Sequence, residues 1–203
     1  MSPQSGKNGL APRAVGDLRG YRALVSESRM NTKSATVTFT GKRVRVESVR
    51  SFERVRDELH ALVPKGMATE AYPDAIKQAG GLDRATFEKV VQSQIGVMGF
   101  MLFQEFDYSA WLPLFGVNRK VTRWILGNPL IAITMIQHDV DAALFAPVEL
   151  LLRESDVGEG STVLYDVPSS LMVIRENPLL LEAALALDAK LDALVRRLTG
   201  GSP

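Results

Sequence analysis

The sequence predicts an α+β fold: short strands joined by tight turns into a small, mainly antiparallel sheet, backed by helices and ending in a long C-terminal helix. Three observations carry that expectation. Apolar and polar residues alternate in short runs separated by Gly, Asn and Pro turns, the pattern of β-hairpins. Between these runs, apolar residues recur three and four apart behind capping residues, the period of amphipathic helices. The longest such stripe, Leu180, Ala184, Leu187, Leu191, Leu194 and Leu198, closes the sequence and is narrow enough to pack on a sheet or on a second copy.

Residues 1–34 are rich in Ser, Gly, Asn, Pro and Arg without periodicity, which predicts a mobile basic arm. Val37 and Phe39, then Val44 and Val46, alternate about Thr40-Gly41-Lys42, which predicts a hairpin with positive φ at Gly41. Ser51 is placed to cap a helix whose stripe is Phe52, Val55, Leu59 and Leu62, ending before Pro64. Pro64, Gly66, Pro73, Gly80 and Gly81 break up residues 64–82. Asp83 caps a second helix with Phe87, Val90, Val91 and Ile95 inward. Gly96 to Phe106 reads as a strand covered on both faces, running into Glu105-Phe106-Asp107-Tyr108. A strand from Arg119 to Leu126 enters the turn Gly127-Asn128-Pro129, where Asn128 caps a helix to about Gln137. Val148 to Arg153 and Thr162 to Asp166 form a second hairpin. Asn177 caps the last helix, Pro178 opens it, Arg196 and Arg197 oppose its dipole and Gly200 stops it. The expected organisation is an arm over 1–34, one α+β domain over 35–176 and the C-terminal helix over 177–200.

The chain of 203 residues is 46% hydrophobic, enough for the core of one domain. It has no cysteine, which excludes disulfides, thiolate metal sites and cysteine nucleophiles and fits a cytoplasmic location. With only His60 and His138 as imidazoles, neither a metal nor a cofactor is indicated. The apolar stretches Ile95 to Phe103 and Trp124 to Ile136 fall short of the roughly 20 residues of a membrane-spanning helix, and no apolar leader opens the sequence, so no membrane partner is expected. Residues 1–56 hold 12 Lys and Arg against 4 Asp and Glu, and the remainder 12 against 19. The basic leading segment lacks stacking aromatics and any recognition motif, which argues against nucleic acid as a partner.

The run Arg45-Val46-Glu47-Ser48-Val49-Arg50-Ser51-Phe52-Glu53, the triplet Phe106-Asp107-Tyr108, the strand end Ile125-Leu126-Gly127-Asn128-Pro129, and Pro147-Val148-Glu149-Leu150-Leu151-Leu152 with Tyr165-Asp166 resemble domain-of-unknown-function family 302, over roughly residues 43 to 172. The resemblance implies a curved antiparallel sheet backed by helices, similar to the TATA-binding-protein-like architecture, and a homodimer. It implies no activity. Two departures stand out: the extra sequence between about Pro64 and Gly96 together with the long last helix, and Tyr108 where the family often has histidine.

The polar residues placed for a site are few. Asp107, Tyr108 and Trp111 form a pocket lip of carboxylate, phenol and indole, or else a turn cap with two core aromatics. Asn128 stands at a helix N-terminus suited to an anion, or merely caps it. His138 lies at a helix C-terminus, which favours its charged form. Glu149 shares a strand face with Leu151 and Arg153, and its bland account is an ion pair with Arg153, Arg119 or Arg123. The expected function is a small-molecule-binding domain for an apolar or carboxylate-bearing ligand, its enzymatic form being acid–base chemistry (isomerisation, cyclisation or elimination) with Asp107, Glu149 or His138 as proton carriers. The alternative is a non-catalytic dimeric module joined through the C-terminal seam. The sharpest expectation is that Asp107, Glu149 and Tyr165 meet in one cavity walled by Trp111.

Overall fold

The computed structural model describes residues 34–67, 71–81, 83–157 and 159–201; the expected arm, apart from Ser34, lies outside them. The chain divides into two units, Met1–Val37 and Thr38–Pro203. Residues 34–37 of the first carry no helix or strand, and every helix and strand among the described residues lies in the second.

Five strands, β1 (Arg43–Ser48), β2 (Met101–Asp107), β3 (Val121–Gly127), β4 (Val148–Glu154) and β5 (Ser161–Asp166), form one open sheet in the order β1-β5-β4-β3-β2. All four pairings are antiparallel. The helices are α1 (Phe52–Leu62), α2 (Tyr72–Gln78), α3 (Arg84–Gln92), α4 (Pro129–Ile136), α5 (Pro168–Met172) and α6 (Pro178–Thr199), with short 3-10 turns at Leu112–Phe115 and Val140–Phe145. This is the α+β fold that the sequence predicts.

The expected caps form. Ser51, Asp83, Asn128 and Asn177 each accept a backbone N–H of the first turn of their helix, satisfying donors that the helix itself leaves unpaired. The first hairpin does not form. Residues 35–39 carry no strand, and β1 pairs instead with β5, more than a hundred residues away. Alternation specifies that a strand has two faces, not which strand it pairs with. Gly41 does not take a positive φ; a Cβ there would lie 2.9 Å from Leu171, so close packing accounts for the glycine. The strand expected from Gly96 starts at Met101. Gly96 and Gly99 make a turn instead, with the Gly99 N–H donating to the Gly96 carbonyl at 2.8 Å and φ of 78° at Gly99.

One face of the sheet carries the main core, while Met101, on the other face at the start of β2, joins Tyr72, Ile76 and Val91 in a second, smaller cluster. Val46, Val163, Leu152, Leu150, Trp124, Leu126 and Leu102 share the main-core face by register, and they cluster with Phe52, Val55 and Leu59 of α1 and with the α6 stripe. Leu180, Ala184, Leu187, Leu191, Leu194 and Leu198 are all buried in this one chain. The seam that could have joined two copies is therefore used by the domain's own core. On the other face, Val121, Ile125, Leu151 and Leu164 are half-buried and belong to no described core cluster.

Candidate functional site

Strand register decides which polar residues can meet. A bulge at Phe103, between Leu102↔Leu126 and Gln104↔Ile125, shifts β2 by one residue against β3. Beyond it, Gln104 and Phe106 join the open face, while Glu105 and Asp107 pair with Trp124 and Thr122 and turn to the covered side. Such a shift exchanges the faces of every later side chain. Glu149 pairs with Ile125 on the open face. Asp107 and Glu149 thus lie on opposite faces, and the expected cavity does not exist.

Each remaining candidate has a definite place. Asp107 is exposed, and its Oδ1 accepts the Ser109 N–H at 2.9 Å, the turn-capping role. Tyr165 sits on the covered face opposite Val44; burial, and then Asp192 and Asp188 of α6, raise its phenol above the ordinary value. His138 contacts Gln137 through its ring at 3.4 Å, and its carbonyl accepts from Asn177 at 3.2 Å. Asn128 is buried with its whole amide engaged, Oδ1 by the Leu130 N–H at 2.8 Å and Nδ2 by the Gly99 carbonyl at 3.0 Å. It borders an apolar cavity of about 190 Å³ among Phe103, Met135, Pro147 and Leu187. Trp111 is 45% exposed, its ring 5.8 Å from Tyr108 and 6.0 Å from Phe115. Leu114 and Phe115 beside it are 82% and 75% exposed, so the β2–β3 connection ends in an apolar tip rather than a pocket wall.

What converges lies on the open face. Leu151 and Leu164 are direct strand partners and lie in a groove of about 590 Å³. Two arginine–carboxylate pairs flank them. On one side Arg43 Nε and Nη2 donate to Asp166 Oδ1 and Oδ2 at 2.7 and 2.8 Å. On the other, Arg123 Nε donates to Glu149 Oε2 at 2.7 Å and its Nη2 to Oε1. Phe145, Pro147, Pro168 and Leu171 close the rim. Glu149, and after it the Tyr108 phenol, hold the Arg123 guanidinium above its ordinary value, and the same guanidinium lies 5.6 Å from the Phe106 ring centroid. Arg43 correspondingly holds the Asp166 carboxyl below the usual range. Among the described residues there is no group of three or more His, Asp or Glu able to hold a metal ion, and no helix is long and apolar enough to cross a membrane.

The family described as Domain of unknown function DUF302 matches residues 80–198, more than half of the 203 residues. The chain belongs to the DUF302 family. The match contains β2 to β5 and all but the last residue of α6. Thus the last helix, expected as an addition, falls almost wholly inside the DUF302 region, whereas the run Arg45 to Glu53 precedes it. Among solved structures, the chain is similar to an uncharacterized conserved DUF302 protein from Bacillus stearothermophilus, with a TM-score of 0.50, 15% identity, and coverage of 77% of this chain and 97% of that one. That likeness supports the fold alone. No curated protein matches.

Proposed function

We propose that this DUF302 domain binds a small amphipathic molecule in the groove on the open face of its sheet. The observation that carries the reading is the juxtaposition of Leu151 and Leu164 with the Arg43–Asp166 and Arg123–Glu149 pairs. Apolar area offers burial while the flanking pairs offer fixed donors and acceptors, the composition of small-ligand sites. The ligand is an apolar or carboxylate-bearing molecule, its body over the leucines and its polar end exchanging with one carboxylate for a guanidinium. In this reading the sheet curves in the TATA-binding-protein-like manner, with the groove on its concave side.

Binding without catalysis is favoured over acid–base chemistry. Asp107 lies on the other face, His138 partners Gln137 and Asn177, and both oxygens of Glu149 are engaged by Arg123. The seam offered for the dimeric alternative is buried within the chain and so does not support it.

The test is calorimetric titration with decanoate and with decanol. Saturable decanoate binding that Leu164→Glu abolishes and Arg123→Ala weakens supports the reading; the Arg123 change should cost only about 0–1 kcal/mol of stability, as exposed ion pairs do. Equal binding of decanol would transfer the recognition to the apolar floor. Absence of saturable binding by either would refute it.

A further inference from the structure

Beyond the groove, the same face ends in a cluster of cations that neither the fold nor the proposed ligand explains. Arg45 of β1, Arg153 of β4 and Arg119 ahead of β3 all donate to one carboxylate, that of Asp156 in the β4–β5 turn. Arg45 Nη2 lies 2.9 Å and Arg153 Nη2 2.6 Å from Asp156 Oδ2, and Arg119 Nη1 donates to Oδ1. Arg45 also holds Glu47, and Arg153 donates to the Glu154 carbonyl at 2.9 Å. Arg119 has no other side-chain hydrogen-bond partner among the described residues. Three guanidiniums therefore hydrogen-bond only two carboxylates, those of Asp156 and Glu47. Arg153, Arg119 and Arg45 together hold the Asp156 carboxyl far below the usual range.

A second, independent observation lies under this cluster. Thr162 is fully buried on the open face, with Glu47 and Arg153 as its strand partners. Its Oγ1, like Trp124 Nε1 in the core, has no hydrogen-bond partner among the described residues, and such a buried group is commonly served by water or a ligand. A planar carboxylate has two oxygens, both of which Asp156 spends on arginines. A tetrahedral oxyanion has enough oxygens to serve three guanidiniums and the hydroxyl as well.

We propose that Arg45, Arg119, Arg153 and Thr162 form a phosphate site in which the phosphate group takes the place of the Asp156 carboxylate. The site does not depend on the groove reading. It is nevertheless contiguous with the groove, since Leu164 pairs with Arg45 and Leu151 lies two residues from Arg153.

Inorganic phosphate, titrated into the full chain against chloride of matched ionic strength and followed by two-dimensional NMR, tests this directly. Saturable shifts at Arg45, Arg153 and Thr162 are expected in the wild type. Asp156→Asn, which keeps the shape but removes the internal anion, should tighten binding by about tenfold or more, and Arg119→Ala should weaken it by a similar factor in both backgrounds. Thr162→Val should weaken it a few-fold with folding retained, because the hydroxyl gives up no partner in the free protein. Glycerol 3-phosphate distinguishes the source: tighter binding than inorganic phosphate assigns the site to organic phosphates, and equal binding assigns it to free phosphate. No saturable response in Asp156→Asn, or a response that Arg119→Ala leaves unchanged, would overturn the proposal. An unaltered affinity in Thr162→Val would overturn the tetrahedral argument and with it the choice of phosphate.

Discussion

The two faces of this sheet are built from the same strands yet follow opposite rules. On β5, Val163 is buried against the helices while its neighbour Leu164 lies half-buried in the groove. On β4, Leu150 and Leu152 enter the core, whereas Glu149 and Arg153 on either side of them hold ion pairs on the open face, Glu149 in contact with solvent and Arg153 largely covered. The covered face draws its stability from apolar area removed from water, about 25 cal/mol per Å². Away from the Met101 cluster the open face draws less, since exposed ion pairs contribute about 0–1 kcal/mol each. A face that stabilises so weakly yet keeps leucines among paired charges is free to be shaped by recognition.

The comparison can be broken at a single step along β5. Val163→Glu places an unpaired carboxylate in the core and should cost more than about 4 kcal/mol or abolish folding. Leu164→Glu should cost about 1 kcal/mol or less, because its side chain already reaches solvent. Thermal melts of the two variants decide the matter; similar losses would show that the open face is a second core surface.

A smaller effect sharpens the same contrast. Asp156 and Asp166 have folded values depressed by their arginines, so their contribution is complete above the ordinary carboxylate range and is lost as pH falls through and below about 4. Asp156→Asn removes one such contribution. The difference in Tm between wild type and this variant should be largest near neutrality and shrink below about pH 4. A difference that stays constant with pH would exclude a depressed Asp156.

Much of the fold was legible in the sequence because its signals are local. Four helix caps, the turn at Asn128, the second hairpin and the extent of α6 each follow from a few adjacent residues. The pairing of β1 with β5 was not legible, since nothing near Val44 names a partner so distant in the chain. The site was half legible. Glu149, with Leu151 and Arg153, could be read from alternation, and Arg123 was among its expected partners. Asp107 was misplaced by one residue of β2: without the bulge at Phe103 it would oppose Val121 and face the groove side. Bulges leave little trace in an apolar run such as Met101 to Phe103. Arg43, Arg45 and Leu164 were hidden for another reason, since they become neighbours only through the β1–β5 pairing.

The central claim is that ligand contact follows the open face and spares the covered one. Methyl-resolved NMR during decanoate titration measures both at once, because Leu150, Leu151, Val163 and Leu164 alternate between the faces. Shifts that saturate together at Leu151 and Leu164, with Leu150 and Val163 moving little, are the predicted result. Shifts centred on Leu150 and Val163, or on Met135 and Leu187 around the smaller cavity, would contradict the account.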